Sequence, residues 1–214
     1  MKVVVIGGHG KVALQLQRIL AADGQVVTSL FRNPEHSTEV AATGAVPVVA
    51  DVEALSTDEL AELLAGQDAV IWTAGAGGGD SKRTYAIDRD AAIRSMDAAA
   101  QAGVKRYVMV SYFGAGPDHG VPSDNSFFAY AEAKAAADTY LKNSELDWTI
   151  LGPSALTLEP GTGRIDVRND NSSGQVPRED VARAAAAVLA KPSTIGRVID
   201  FNTGDTPIED ALAN

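Results

Sequence analysis

Short β-branched runs alternate with longer amphipathic stretches along the whole chain. The runs 3–6, 26–31, 46–50, 69–73, 107–111, 148–151 and 198–201 predict strands, and several are apolar at every position. A strand buried on both faces has no polar side to present, so this pattern points to a sheet covered by helices above and below. The stretches 12–22, 57–64, 85–102, 130–143 and 179–190 carry apolar residues at spacings of three and four, which predicts helices. Strand–helix alternation implies βαβ units with right-handed crossovers. The expected fold is α/β, a doubly wound parallel sheet of about seven strands with helices on both faces.

Three segments break the alternation: 75–83, 114–126 and 159–174, all rich in Gly, Pro, Ser, Asp or Asn. The first two closely follow strand C-termini, where open α/β sheets bind ligands. The third lies within 155–177, which is expected to form a small substrate-side insertion. At 214 residues the chain supports one buried core, so 1–214 reads as one domain.

Composition narrows the partners. The net charge of −10 argues against nucleic acid and against an anionic membrane surface, both of which need a basic footprint. The chain has no cysteine, which removes disulfides, thiol nucleophiles and cysteine metal sites and fits a reducing compartment. The apolar run after Lys2 is too short for a signal-peptide core, so a cytoplasmic protein is expected, monomeric or weakly self-associating. No pair among His9, His36 and His119 has metal-ligand spacing, and no metal is expected. His36 and His119 read as loop residues, Trp72 and Trp148 as core or strand-edge residues. Asp58, Glu59 and Glu62 read as the solvated face of a helix.

The first strand runs into Gly7-Gly8-His9-Gly10-Lys11-Val12-Ala13 and then into an amphipathic helix. Gly7 and Gly10 allow a tight turn and close backbone approach to a pyrophosphate, and Ala13 lets the helix pack near the strand. The helix N-terminus offers unpaired N–H groups and a partial positive charge to phosphates, with His9, Lys11 and Val12 in the same turn. The expected ligand is a dinucleotide. Arg32 follows the second strand, where an acidic residue would bind the ribose 2′-OH of NAD(H). Arginine there offers a planar fork suited to the 2′-phosphate of NADP(H), which is therefore preferred over NAD(H), or else a solvated charge before Pro34. Asp51 and Val52 after the third strand, and Thr73, Ala74 and Gly75 after the fourth, continue the groove toward adenine and ribose.

Tyr130 and Lys134 share one helix face. An ammonium beside a phenol lowers its pKa toward neutrality, which suits general acid–base work between an alcohol and a carbonyl. Lys134 could also bond the nicotinamide ribose. Ser111 closes the preceding strand and could polarise a substrate oxygen.

Together these residues resemble the short-chain dehydrogenase/reductase superfamily, in its small, atypical NAD(P)-binding branch with a Rossmann-type sheet. That branch includes flavin and biliverdin reductase-like proteins, NmrA-like regulators and proteins labelled sugar epimerases. The resemblance runs from the glycine turn through Arg32-Asn33-Pro34, Asp51, Trp72-Thr73-Ala74-Gly75 and Ile87-Asp88. It continues through Gly103-Val104-Lys105-Arg106-Tyr107-Val108, Ser111, Tyr130 to Lys134 and Leu146-Asp147-Trp148-Thr149-Ile150-Leu151. It ends with Glu159-Pro160-Gly161-Thr162-Gly163 and Arg178-Glu179-Asp180-Val181-Ala182. It implies that the turn, Arg32, Asp51, Ala74, Gly75, Ser111 and Lys134 line the cofactor groove. It also implies that Ser111, Tyr130 and Lys134 form the catalytic triad and that Pro153 lies near the nicotinamide. Two positions depart from the pattern. Gly152-Pro153 stands where Arg-Pro is usual, and Tyr112-Phe113 follows the serine where a small residue is frequent.

The expected function is hydride transfer between NADP(H) and a small carbonyl, quinone or flavin-like substrate. The rival is a non-catalytic NADP(H)-sensing regulator of the NmrA-like kind. A nucleotide-sugar epimerase would need a larger lobe than the residues after Leu151 can build.

Overall fold

Alternate residues of β1 (Lys2–Ile6) enter different cores. Val3 and Val5 join one apolar cluster, Val4 and Ile6 the other, and none of the four has exposed surface. The computed structural model describes residues 1–77, 79–167 and 174–213. After β1 come α1 (Lys11–Ala22), β2 (Val26–Phe31), α2 (Ser37–Ala41), β3 (Val46–Val49), α3 (Thr57–Leu64) and β4 (Ala69–Trp72). Helix α4 (Ser81–Thr84) passes through a π-helical segment (Tyr85–Ala91) into α5 (Ala92–Gln101). Then follow β5 (Arg106–Val110), α6 (Phe128–Lys142) and β6 (Asp147–Pro153). The remainder is β7 (Ala155–Thr157), β8 (Arg164–Val167), β9 (Gln175–Pro177), α7 (Arg178–Leu189), β10 (Arg197–Thr203), β11 (Thr206–Pro207) and α8 (Ile208–Ala211).

The main sheet has the order β3-β2-β1-β4-β5-β6-β10-β8-β11. From β3 to β10 every pairing is parallel, and these seven strands are the seven expected from the apolar runs. Helices α1 and α7 cover one face, α3, α5 and α6 the other.

The strand count is larger than seven. β8 and β11 extend the sheet antiparallel to nine strands, and β7 pairs with β9 in a separate two-stranded sheet. These strands are two to four residues long and are held by backbone pairing, so they leave no hydrophobic period to read. The segment 159–174, expected as a loop, thus contains β8, while 168–173 lie outside the described residues. The helix expected over 85–102 starts earlier, because the Asp80 side chain accepts from the N–H groups of Lys82 and Arg83 at 2.9 and 3.4 Å. Helix α3 matches its expected bounds and opens on a capping box between Ser56 and Glu59. Among the described residues no helix is long and apolar enough to cross a membrane.

Strand order reverses at β1, with β2 and β4 on either side. The C-terminal ends of β1 to β4 therefore open on one edge at the switch point, where such sheets bind ligands.

Candidate functional site

Gly7 has φ +86°, and a Cβ there would lie 2.5 Å from the backbone N and Cα of Ala74. Only glycine meets both demands. The N–H groups of Gly7 and Gly8 both donate to the Leu30 carbonyl, at 3.0 and 2.8 Å. Behind the turn, buried Gln17 donates to the Gly8 carbonyl at 2.7 Å and to Ser29 Oγ at 2.9 Å, and its Oε1 accepts from Thr43 at 3.0 Å. The turn is thus braced from inside the protein. Gly10 caps α1 without a side-chain hydrogen bond, and the first turn of α1 holds no acid. Its N–H groups and partial positive charge stand open to an anion.

A cavity of about 350 Å³ runs from this turn along the strand ends. Of the residues expected there, Gly7, His9, Gly10, Arg32, Asp51, Val52, Thr73, Ala74 and Gly75 line it. Lys11 and Val12 lie in the first turn of α1, outside the lining. Arg32 is exposed and has no hydrogen bond or ion pair from its side chain among the described residues. Asn33, His36, Arg83 and Ile87 also line the cavity. His36 is not a bystander in a loop: its ring stacks on His9 at 3.4 Å and 12°, while His9 Nε2 meets Glu39 at 2.7 Å. Its place in the turn that carries Arg32 was the signal that could have found it. At the far end Arg94 donates to the carbonyls of Val52, Glu53 and Leu55 at 3.0, 3.0 and 3.2 Å, fixing the loop of Asp51. The π-helical segment brings Asp88 under the groove, where it accepts from the Ala76 N–H at 3.0 Å.

The cradle fits a dinucleotide. Its tight floor admits a phosphate close to backbone, the uncapped helix end offers donors, and Arg32 is available to a further anion.

Tyr130 opens onto a second cavity of about 490 Å³, with Phe127, Ser126, Thr84 and Asp80 among its walls. Its ring meets Phe127 at 5.1 Å and Tyr112 at 5.6 Å, so three aromatic rings gather there. Tyr130 and Lys134 share a helix face, but the expected activation of the phenol is absent. Lys134 is 1% exposed; its Nζ donates to the Val110 carbonyl at 2.9 Å and meets Met109 Sδ at 3.2 Å. Burial, then the carboxylates of Asp88 and Asp138, push the Tyr130 phenol up from its ordinary value. It stays protonated at neutral pH, as an ordinary phenol does, and is a weaker acid than free tyrosine.

Ser111 lies at the end of β5, buried, with its Oγ 2.5 Å from Asp138 Oδ2. Neither Ser111 nor Lys134 lines the groove cavity. Burial raises the pKa of both Asp88 and Asp138 and lowers that of Lys134 between them. Pro153 is buried at the end of β6, its carbonyl accepting from Phe113 at 2.9 Å, also outside the lining. The glycine before it has a reason. A Cβ at Gly152 would lie 1.8 Å from Asp200 Oδ1, so a carboxylate fills the space a larger residue would need. Asp200 Oδ2 accepts from the Gly114 N–H at 3.2 Å and so pins the loop after β5.

Comparison with known proteins agrees with this geometry. Residues 7–192 match the NAD(P)H-binding family. The Bacillus subtilis protein named "Uncharacterized sugar epimerase YhfK" is 37% identical over 215 residues, 99% of each chain. A Bacillus halodurans structure provisionally named an NAD-dependent epimerase/dehydratase superposes with TM-score 0.91 at 34% identity, covering 99% of this chain and 98% of that one. The Lactococcus lactis oxidoreductase ylbE gives TM-score 0.87 at 31% identity, covering 99% and 95%.

Proposed function

The chain belongs to the NAD(P)H-binding family, and from that premise we propose that it is an NADP(H)-dependent oxidoreductase acting on a small carbonyl, quinone or flavin-like acceptor. The observation that carries this reading is the placement of two cavities on one sheet edge, a cradle for the cofactor and an aromatic-walled space holding Tyr130. When bound, the nicotinamide supplies the hydride. The chain's own residues bind, orient and protonate. The glycine turn and the start of α1 take the pyrophosphate, Arg32 takes the 2′-phosphate, and the backbone from Thr73 to Gly75 lies along the ribose. Tyr130 gives the proton to the acceptor oxygen, Ser111 polarises that oxygen, and the rings of Tyr112 and Phe127 favour a flat substrate.

One observation favours the second reading, a non-catalytic NADP(H) sensor. Ser111 and Lys134 both turn into the core and not into the groove. The test is NADPH oxidation with a panel of quinones, flavins and aldehydes. Turnover that Tyr130→Phe abolishes supports the oxidoreductase; tight NADPH binding with no turnover on any acceptor would establish the sensor.

A further inference from the structure

Beneath the two cavities, a pair of buried carboxylates shares a single ammonium. Asp88, Lys134 and Asp138 are each 1% exposed. Lys134 directs its hydrogen bonds to the Val110 carbonyl and Met109, not to either acid. In a dry site two negative charges against one positive are costly, so one carboxyl is better neutral. Asp88 accepts a backbone N–H from Ala76, which favours its ionised form. Asp138 has the Ser111 hydroxyl on Oδ2, a group that can accept a hydrogen as well as donate one, and the Oδ1 atoms of both acids have no partner among the described residues. Burial raises the pKa of Asp138, while the cations Lys134 and Lys142 on its own helix oppose that; the phenols of Tyr107, Tyr112 and Tyr130 around it are uncharged, and Asp200 from β10 is a like charge facing it. Of the two, only Asp138 has a partner among the described residues that can accept a hydrogen from it, so Asp138 is the acid better placed to be neutral.

A serine hydroxyl has one hydrogen and can donate it to one acceptor at a time. With Asp138 ionised, the carboxylate accepts that hydrogen and Ser111 has none for the substrate. With Asp138 protonated, the same 2.5 Å contact reverses: the carboxyl donates to Ser111 Oγ, and the serine hydrogen is released. We propose that Asp138 is a positioning residue whose protonation turns the Ser111 hydroxyl from the core toward the substrate oxygen. The proposal rests on the oxidoreductase reading, and its first test is independent of turnover.

That test is a carbon NMR titration of the cofactor-free protein labelled at the aspartate carboxyls. The expected result is a resonance that titrates above the ordinary aspartate range and is missing in Asp138→Asn. In Ser111→Ala, which removes the donor that favours the ionised form, the same resonance titrates higher still. A resonance assigned to Asp138 that titrates in the ordinary range, or is indifferent to Ser111→Ala, overturns the proposal. The second test is the pH profile of kcat. Wild type falls to a plateau about tenfold lower as pH rises through that titration, the effect of one hydrogen bond. Asp138→Asn, whose amide donates to Ser111 Oγ at every pH, lacks this decline; a profile that keeps the wild-type decline counts against the proposal. A wild type that turns over no acceptor overturns the oxidoreductase reading, and the titration still decides the role of Asp138.

Discussion

Replacing Gly8 with alanine tests how the cofactor turn is braced. A Cβ at Gly8 would sit 1.8 Å from Ser29 Oγ, 3.1 Å from Ser29 Cβ and 3.1 Å from Gln17 Nε2. Ser29 and Gln17 have no exposed surface and hold each other at 2.9 Å, so neither can simply swing aside. Overpacking of this kind costs about 1–3 kcal/mol. Loss of the Gln17–Ser29 bond adds about 1 kcal/mol. A total near 2–4 kcal/mol corresponds to a fall in Tm of roughly 5–15 °C for a chain of this size. Ser29→Ala alone forfeits one hydrogen bond, about 1 kcal/mol. It also removes the hydroxyl that the added methyl group would strike. Gly8→Ala combined with Ser29→Ala should therefore be more stable than Gly8→Ala alone, with a coupling of about 1–2 kcal/mol. Gly7→Ala should show no such rescue by Ala74→Gly, since the 2.5 Å contacts there are to backbone. Thermal and urea unfolding of the four members of the Gly8–Ser29 cycle measure this. Strict additivity, or a double variant less stable than Gly8→Ala, would refute the steric account of the turn.

Arg32→Ala should weaken NADPH binding by roughly 10- to 100-fold and leave NADH little changed, measured by cofactor fluorescence, because only a charge-assisted bond to the 2′-phosphate is lost. Tyr130→Phe should lower kcat roughly 100-fold or more while leaving cofactor affinity in place, and equal rates in both proteins would remove the phenol from the reaction. Arg94→Lys replaces three carbonyl contacts with at most one reorganised bond. It should cost about 1–2 kcal/mol and weaken NADPH and NADH equally, so a loss confined to one cofactor would contradict its role as a brace for the loop of Asp51.

The parallel strands were legible as β-branched runs, the inner ones apolar throughout because both their faces are covered, and the glycine turn because its steric demands are local. Helix α3 was legible to the residue from its apolar spacing, and the capping box of Ser56 and Glu59 that fixes its start is a further signal the spacing did not use. The short strands were not, since backbone pairing over two to four residues needs no particular side chain. At the site, spacing placed Tyr130 and Lys134 on one face but could not say what that face meets. The ammonium is captured by the Val110 carbonyl, and the serine by Asp138, a residue 27 positions away. The stacking of His36 on His9 likewise joins two turns that only the β1–β2 pairing brings together.

The placement of β8 outside β10 dictates an order of assembly. In the main sheet, among the described residues, β8 has only β10 and β11 as neighbours, and both come later in the chain. While the polypeptide is being synthesised, the parallel strands from β3 through β6 can close on one another as they emerge, but β8 has nothing to dock on until the last two strands leave the ribosome. That edge is therefore the last part of the sheet to be completed.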